Sequence, residues 1–462
     1  METRSTDANL ALTDTHGRQG DTLWAALTRL ALYIVVVMTP LVLLAVLRPP
    51  TDHGLLYELG KGFALLGFSI MAIQFVLAAR LQWVEQPFGL DLVLRFHKGM
   101  GVYATFLLCL HPFLLAVGGD EGWSLLIARD VHWYIWIARV GLLLLLIHSC
   151  ISVLRRSLRL AFERWRLVHN ILAPMVLVLG FLHSWNASDD DLKLAVLRLL
   201  WVGLLGVAVL VYVYHRVVRP LWQRRHLYRV RNMRQETHNV WTLDLAPPAG
   251  EKPYQYLPGQ FQFITLYRGR GLPVEEHHFT ISSSPTAEGV VSSTIKQSGD
   301  FTASIGQTRP GDLALVHAPF GRFSSVLHPE ERQVVFLAGG IGITPLMSML
   351  RHMRDTRADR RVLLLYANRT ENDIVFRDEL CELEKGEYPR LTVVHILSRA
   401  GDAWGGETGH MDREKIERLC GGNLANQAFY VCCPPRMTEE VVRALRDLRV
   451  AAARIHFEHF SL

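Results

Sequence analysis

Six apolar stretches, each long enough to cross a bilayer, fill the first half of this 462-residue chain. A hydrocarbon core about 30 Å thick takes ~20 residues of helix. It admits only helices or closed barrels, because each backbone polar group must find its partner within the protein. The stretches lie near 25–47, 61–80, 97–117, 132–154, 167–185 and 195–217. Arg80 and Arg95 flank the second connection. Arg155, Arg156, Arg159, Arg164 and Arg166 crowd the fourth, and Arg216, Arg219, Arg224 and Arg225 follow the last span. Acids occupy the third connection (Asp120, Glu121) and the fifth (Asp189, Asp190, Asp191). Basic residues stay on the cytoplasmic side, so this alternation places both termini in the cytoplasm. It also accounts for the net charge of +6 without invoking nucleic acid. The first residues are polar, with Asp7 and Asp14, unlike a cleavable leader. Six cysteines with no CxxC pair suit reduced thiols rather than a disulfide framework.

Histidine is out of place in such segments. His97 and His111 lie on the third, fourteen residues apart, and His169 and His183 lie on the fifth, again fourteen apart. Fourteen residues is close to four full turns, so each pair shares one helix face with its members ~21 Å apart along the axis. Both helices run the same way across the membrane. His97 is therefore level with His169, and His111 with His183. Two facing imidazoles, repeated at a second depth, make two bis-histidine sites, and neutral imidazole is a good axial ligand for haem iron. The competing reading, an interhelical hydrogen bond, explains one histidine but not two equal spacings on parallel helices. His148, on the fourth span, has no equally spaced companion and is expected to pack or to meet headgroups. Arg95, Lys98 and Arg166 are positioned for haem propionates as well as for topology. Arg139, inside the fourth span, is a candidate for the outer haem or the acceptor.

Beyond Pro220 the composition turns ordinary. Val240–Ala246, Gln260–Leu266, Phe279–Ser282 and Val290–Lys296 read as short strands punctuated by Pro and Gly, which suggests a small antiparallel barrel. From about Gln333 the order is strand, turn, helix, repeated. Val334–Ala338 leads into Gly339-Gly340-Ile341-Gly342-Ile343-Thr344-Pro345 and a helix through about Met353. Strands at Val362–Tyr366, Leu391–Leu397 and Phe429–Cys432 follow, with helices near 373–385, 411–419 and 437–448. This is a doubly wound α/β pattern, and its glycine turn brings backbone N–H groups and a helix N-terminus to a phosphate.

The region 226–462 resembles the ferredoxin-NADP reductase superfamily. Pro258-Gly259-Gln260-Phe261 is similar to its barrel strand. His277-His278-Phe279-Thr280-Ile281-Ser282-Ser283 resembles the His-Pro-Phe-Thr flavin motif of NADPH oxidases and ferric reductases, with His278 where that form has proline. The resemblance implies that Phe279 packs on the flavin ring and Thr280 approaches its N5. It implies that His277 serves the pyrophosphate or ribityl region, with Ser282 in the same motif, and that Lys296, Gly299 and Thr302 serve the pyrophosphate. Gly339, Gly340, Gly342, Thr344 and Pro345 resemble the nucleotide phosphate loop. Cys432-Cys433-Pro434-Pro435-Arg436-Met437 resembles a Cys-Gly-Pro-Pro-x-Met segment with Cys432 beside the nicotinamide; here Cys433 replaces the glycine. Ser398 and Arg399 stand where the family meets an adenosine 2′-phosphate, which favours NADPH over NADH. In Phe457-Glu458-His459-Phe460 the resemblance makes Phe460 the aromatic that covers the flavin.

Over nearly the whole chain, the pattern resembles the transmembrane NADPH oxidase and ferric reductase superfamily, in a minimal, bacterial form. The implied architecture is multi-domain. A polar tail (1–24) precedes a six-helix transmembrane di-haem bundle (25–220), an FAD-binding antiparallel β-barrel (226–330) and an NAD(P)H-binding α/β domain (331–462). The resemblance implies FAD, NADPH and two b-type haems as cofactors. It implies an electron relay from cytoplasmic NADPH, with Cys432, Thr280 and Phe460 at the hydride step and the four histidines on haem iron. The acceptor is expected to be dioxygen, giving superoxide, with a ferric complex as the alternative. A haem-binding sensor with an inactive reductase domain is a further alternative, against which the intact motifs argue. The expected setting is the inner membrane, in contact with lipid, with no obligatory protein partner.

Overall fold

The computed structural model describes residues 15–47, 54–120, 122–155, 157–187, 195–422 and 424–457, with side chains from Leu23 onward. Phe460, Arg48, Glu121, Arg156 and the acidic run Asp189 to Asp191 lie outside the described residues. The chain separates into two compact units, Gly20–Pro220 and one formed mainly by Leu221–Leu462.

The first unit contains the spans α1 (Thr15–Leu47), α2 (Leu55–Ala78), α3 (Leu90–Gly118), α4 (Trp133–Leu154), α5 (Phe162–Ala187) and α6 (Ala195–Val213). All six segments are long and apolar enough to cross a membrane. Their outward faces carry large apolar side chains such as Leu32, Phe106, Leu143 and Leu199, as expected where the solvent is lipid. The helices α2 and α3 begin six or seven residues before the apolar stretches. In α3 the added turns carry Asp91 and Arg95, an i,i+4 ion pair 2.9 Å apart that supports a helix where hydropathy alone shows none. Close packing of α2 on α3 runs through glycines. A Cβ on Gly67 would stand 2.6 Å from Leu108, and one on Gly118 would stand 2.5 Å from the Tyr57 nitrogen. Small residues at such contacts let helices approach in an apolar medium. At its end α6 widens into a π-helical turn, Tyr214–Val218, before Arg219–Gln223. Pro220 has no N–H to return to the preceding turn, which explains the local rearrangement.

The second unit holds two six-stranded sheets. In the first, β1 (Tyr228–Thr237), β2 (Val240–Ala246), β3 (Phe261–Tyr267), β4 (Glu276–Thr280), β5 (Val291–Lys296) and β6 (Leu313–Phe320) run in the order β4-β3-β6-β1-β2-β5. The ladders are antiparallel, and an Ile281–Ser293 bridge brings the end strands together into a barrel. Strands β1 and β6 are absent from the sequence reading, because β1 is dominated by polar residues and shows no apolar alternation. The flavin-motif strand starts at Glu276 rather than Phe279, and Ser282 falls beyond it.

The second sheet, order β10-β9-β8-β7-β11-β12, is parallel. It comprises β7 (Gln333–Gly339), β8 (Arg361–Asn368), β9 (Arg390–Leu397), β10 (Glu407–Thr408), β11 (Ala428–Cys432) and β12 (Ile455–Phe457). Its helices include α7 (Ile343–Asp355), α8 (Arg377–Lys385) and α9 (Pro435–Asp447). The helix expected from 373 begins only at Arg377. Thr370 and Asp373 close a capping box around a single 3-10 turn, and Phe376 follows at φ +60°. Strand order reverses between β7 and β11, the crevice where open α/β sheets bind ligands.

Candidate functional site

In the membrane unit the four histidines meet in pairs. The ring centres of His97 and His169 are 6.2 Å apart, and those of His111 and His183 are 6.5 Å apart. An imidazole nitrogen lies about 1.2 Å from its ring centre and metal–nitrogen bonds run about 2 Å, so two rings sharing one metal stand ~6.4 Å apart. Both pairs match that spacing, which is too wide for direct stacking. Open space adjoins the inner pair: a Cβ added to Gly101, one turn beyond His97, would meet nothing within 4 Å. Buried Nδ1 atoms of His97 and His169 make no hydrogen bond. The donor set therefore fits two bis-histidine haems.

The structure gives His148 a histidine neighbour that the spacing argument did not: its ring centre is 4.6 Å from that of His169. The spacing rule compared residues on parallel helices, whereas α4 is antiparallel to α5 and meets it at the same depth. Arg139 has main-chain partners. It donates to the carbonyls of Ala128 (2.7 Å) and Leu125 (2.7 Å), at the end of the short helix Ser124–Ile127, and stacks over Trp136. A cation there offsets the negative end of the helix.

In the barrel, all five residues of β4 are half-exposed, unlike the buried strands β3 and β5. His277 stacks on Phe301 at 4.3 Å, with its Nε2 2.9 Å from Glu275, and Phe279 lies nearly parallel to Phe301. These rings give the strand a layered aromatic face. The Thr280 carbonyl accepts from Ser293, leaving the Thr280 side chain on the half-exposed strand. Ser282, by contrast, is fully buried, with its hydroxyl engaged by Thr294 at 2.9 Å. The Thr302 hydroxyl accepts from the N–H groups of Ser298 and Gly299, both at 2.9 Å, so it caps the turn Asp300–Ala303.

At the β7–β11 crevice, glycine is required for space. A Cβ on Gly339 would press on Pro434 at 2.8 Å, and one on Gly342 would collide with the Cys432 carbonyl. Gly340 adopts φ +54°, and its carbonyl accepts from Tyr366 at 3.1 Å. Thr344 donates to Ile341, and Pro345 is buried in the first turn of α7. Cys432 is buried at the end of β11; burial pushes the Cys433 thiol up to about 12.

A cleft of about 860 Å³ brings together Lys296 from the barrel with Arg369 and Arg399 from the nucleotide-binding sheet. Its wall also holds His238, Thr370 and Asp373. Burial raises the Asp373 carboxyl, but hydrogen bonds from Thr370 outweigh that and hold it below its usual value. Ser398 and Arg399 follow β9, and the Arg399 N–H donates to the Arg369 carbonyl at 2.8 Å. Sequence reasoning assigned Lys296 and Arg399 to different cofactors and missed Arg369, whose signal was its position just past β8. It also missed Arg351. That guanidinium donates to the Ser282 carbonyl (2.6 Å) and pairs with both oxygens of Glu379, tying α7 to the end of the flavin motif.

Residues 63–180 match the family described as ferric reductase like transmembrane component, and 336–443 match the oxidoreductase NAD-binding domain. This combination matches the fused flavocytochrome and ferric reductase superfamily. The matches support an integral membrane component joined to an oxidoreductase unit of the FAD- and NAD(P)H-binding type.

Among curated relatives, the glycine betaine monooxygenase reductase subunit of Chromohalobacter salexigens is 30% identical over 257 residues, 54% of this chain and 68% of that protein. Cytochrome b5 reductase 4 of Rattus norvegicus is 32% identical over 167 residues, 35% of this chain and 32% of that protein. The chain thus spans about a third of the latter's length, and 64% of the glycine betaine monooxygenase reductase subunit of Pseudomonas aeruginosa. Among solved structures, the FAD/NAD-binding domain of nitric oxide dioxygenase from Vibrio cholerae aligns with a TM-score of 0.46 at 23% identity, over 50% of this chain and 97% of that one.

Proposed function

We propose that the chain moves electrons from cytoplasmic NADPH, by way of FAD and two b-type haems, to dioxygen on the far side of the inner membrane, releasing superoxide. The carrying observation is the pair of histidine couples at 6.2 and 6.5 Å. Bound FAD takes two electrons as hydride and gives them up singly, while haem iron takes one at a time.

The chain's own residues bind and orient these groups. His97 and His169 would hold the inner iron, and His111 and His183 the outer one; two imidazoles on each iron would keep the acceptor off the metal. Phe279 supports the flavin ring, Thr280 lies beside it, and His277 serves the pyrophosphate or ribityl region. Gly339 to Gly342 admit the nucleotide to the crevice, with Cys432 at the nicotinamide end. Lys296, Arg369 and Arg399 meet phosphates through charge-assisted hydrogen bonds. Arginine-rich connections support a cytoplasmic dehydrogenase unit.

The test is a cofactor count followed by an acceptor assay. Purified protein is expected to contain two acid-extractable haems and one non-covalent FAD per chain. NADPH should support cytochrome c reduction that superoxide dismutase inhibits. One haem per chain, or covalent haem, would refute the paired-ligand reading. A second reading, ferric reduction by the same relay, is favoured by the family matched over 63–180. Negligible superoxide with rapid anaerobic reduction of ferric chelates would select it.

A further inference from the structure

Away from the nucleotide crevice, the dehydrogenase unit gathers a second group of ligating side chains. His328 and Glu331 lie on the connection from β6 to β7, just after the 3-10 turn Ser325–Leu327, and His456 lies on β12. One ring nitrogen from each histidine and one carboxylate oxygen of Glu331 all lie within 4.8 Å of one another. None of the three is assigned above to FAD, to the nucleotide or to haem.

The group is held from behind. Tyr430, which faces His456 across the β11–β12 ladder, donates to one Glu331 oxygen at 2.6 Å, and His456 Nε2 lies 2.7 Å from the other. Arg360 donates to the His328 carbonyl at 3.0 Å. The Glu331 side chain is 6% exposed and that of His456 15%, whereas His328 keeps 22% of its surface open, which gives an ion a way in from solvent.

Two imidazoles and one carboxylate are a mixed nitrogen and oxygen donor set. Such a set suits zinc and leaves a fourth position for water. The rings of His328 and His456 stand 4.1 Å apart. Two imidazoles on one tetrahedral ion, with bonds of about 2 Å, stand about 5 Å apart. Ligation therefore needs a movement of about 1 Å, which the connection carrying His328 supplies more readily than the strand carrying His456. Charge weighs both ways. Arg322, Arg332 and Arg360 stand within electrostatic range and oppose a dication, while Glu331 and Glu330, 3.8 Å from His328 Nδ1, favour it.

We infer that His328, Glu331 and His456 form a site for a divalent transition-metal ion of the zinc type, which clamps the β6–β7 connection to β12. That strand is the edge of the parallel sheet and pairs only with β11, so the ion ties down an element with one neighbour. The surrounding arginines make the ion exchangeable rather than permanent. Ligands that bind only the folded state stabilise it.

The experiment is equilibrium dialysis of chelator-treated, full-length holoprotein against zinc ion, with bound metal counted by mass spectrometry, alongside His328→Asn and His456→Gln. Wild type should hold one zinc more per chain than either variant. Zinc should also raise the temperature at which wild type releases FAD and leave that of the variants in place. Equal zinc in wild type and in variants that retain FAD, or an equal thermal shift, overturns the inference.

If His456→Gln sheds its FAD, His328→Asn decides alone, because His328 belongs to no strand. Copper(II) added to the same two proteins gives a separate reading. Its electron paramagnetic resonance signal in wild type should show nitrogen splitting from two imidazoles, reduced to one in His328→Asn. Splitting that the substitution leaves unchanged overturns the inference.

Discussion

In the membrane unit, four side chains from two helices make the site, and each lies on a helix face set by its own local period. In the dehydrogenase unit, the site is assembled from the ends of β7, β8, β9 and β11 and the edge of a barrel, segments far apart in the chain. The first kind of site depends on a few ligands, and a single substitution removes it. The second spreads binding over loops and over glycines that keep backbones close, so a single change there should weaken one step and spare the others.

The sharpest way to break that contrast is at the inner ligands. His97→Leu or His169→Leu should lower haem reduction by NADPH to the level of the protein-free control, while flavin bleaching by NADPH continues. Rapid-scan absorbance separates the two signals, with retained FAD as the folding control. A His97 variant whose outer haem still reduced normally would show that the relay does not run through the inner couple.

Next in size is Gly342→Ala. The new methyl group meets the Cys432 carbonyl carbon at 2.7 Å, backbone that cannot rotate aside. Overpacking of this kind costs about 1–3 kcal/mol, and here the displacement falls on the nicotinamide crevice. Flavin reduction should slow by about tenfold or more with haem content unchanged. Dithionite, which bypasses the nucleotide, should still reduce both haems fully.

A smaller effect is expected at the basic cleft. Hydrogen bonds to charged groups contribute about 1.5–3 kcal/mol, so Arg399→Ala should raise KM for NADPH by about tenfold or more and for NADH much less. Arg369→Ala, beside it in the same cleft, should raise KM for NADPH as well. Equal changes for both nucleotides in the Arg399 variant would remove it from the 2′-phosphate.

The contrast also explains what was legible in the sequence. The histidine ladder could be read because fourteen residues on a helix is a fixed rotation, and because imidazole stands out against an apolar background. The Gly339 to Pro345 loop was legible through its strand–turn–helix context. Arg369, Arg351 and the partnership of Lys296 with Arg399 were not, because each depends on which strand lies beside which. Strand order is decided by long-range pairing and leaves no local period. The polar strand β1 was missed for a related reason: its place in the barrel comes from its neighbours, not from its own alternation. Likewise, His148 against His169 follows from antiparallel helix packing, which spacing along one helix does not report.

The smallest predicted effect concerns pH and separates the units by stability. Glu331 is buried, accepts from Tyr430 at 2.6 Å and lies 2.7 Å from the His456 ring nitrogen, joining the approach to β7 with β11 and β12. Burial raises its carboxyl, but the hydrogen bonds from His456 and Tyr430 outweigh that and hold it below the usual carboxylate range. A carboxylate with a depressed folded value stabilises fully above its unfolded pKa, about 4.3. That contribution is lost as pH falls through the folded value. Stability of the dehydrogenase unit should therefore decline on the acid side below about pH 4. Glu331→Gln should flatten that limb while costing about 1–2 kcal/mol near neutrality. In the full-length protein, thermal release of FAD, followed by fluorescence, reports the dehydrogenase unit, and the haem Soret band reports the membrane unit. The substitution should move the first transition and leave the second in place. A shift of both together would mean that the two units unfold as one.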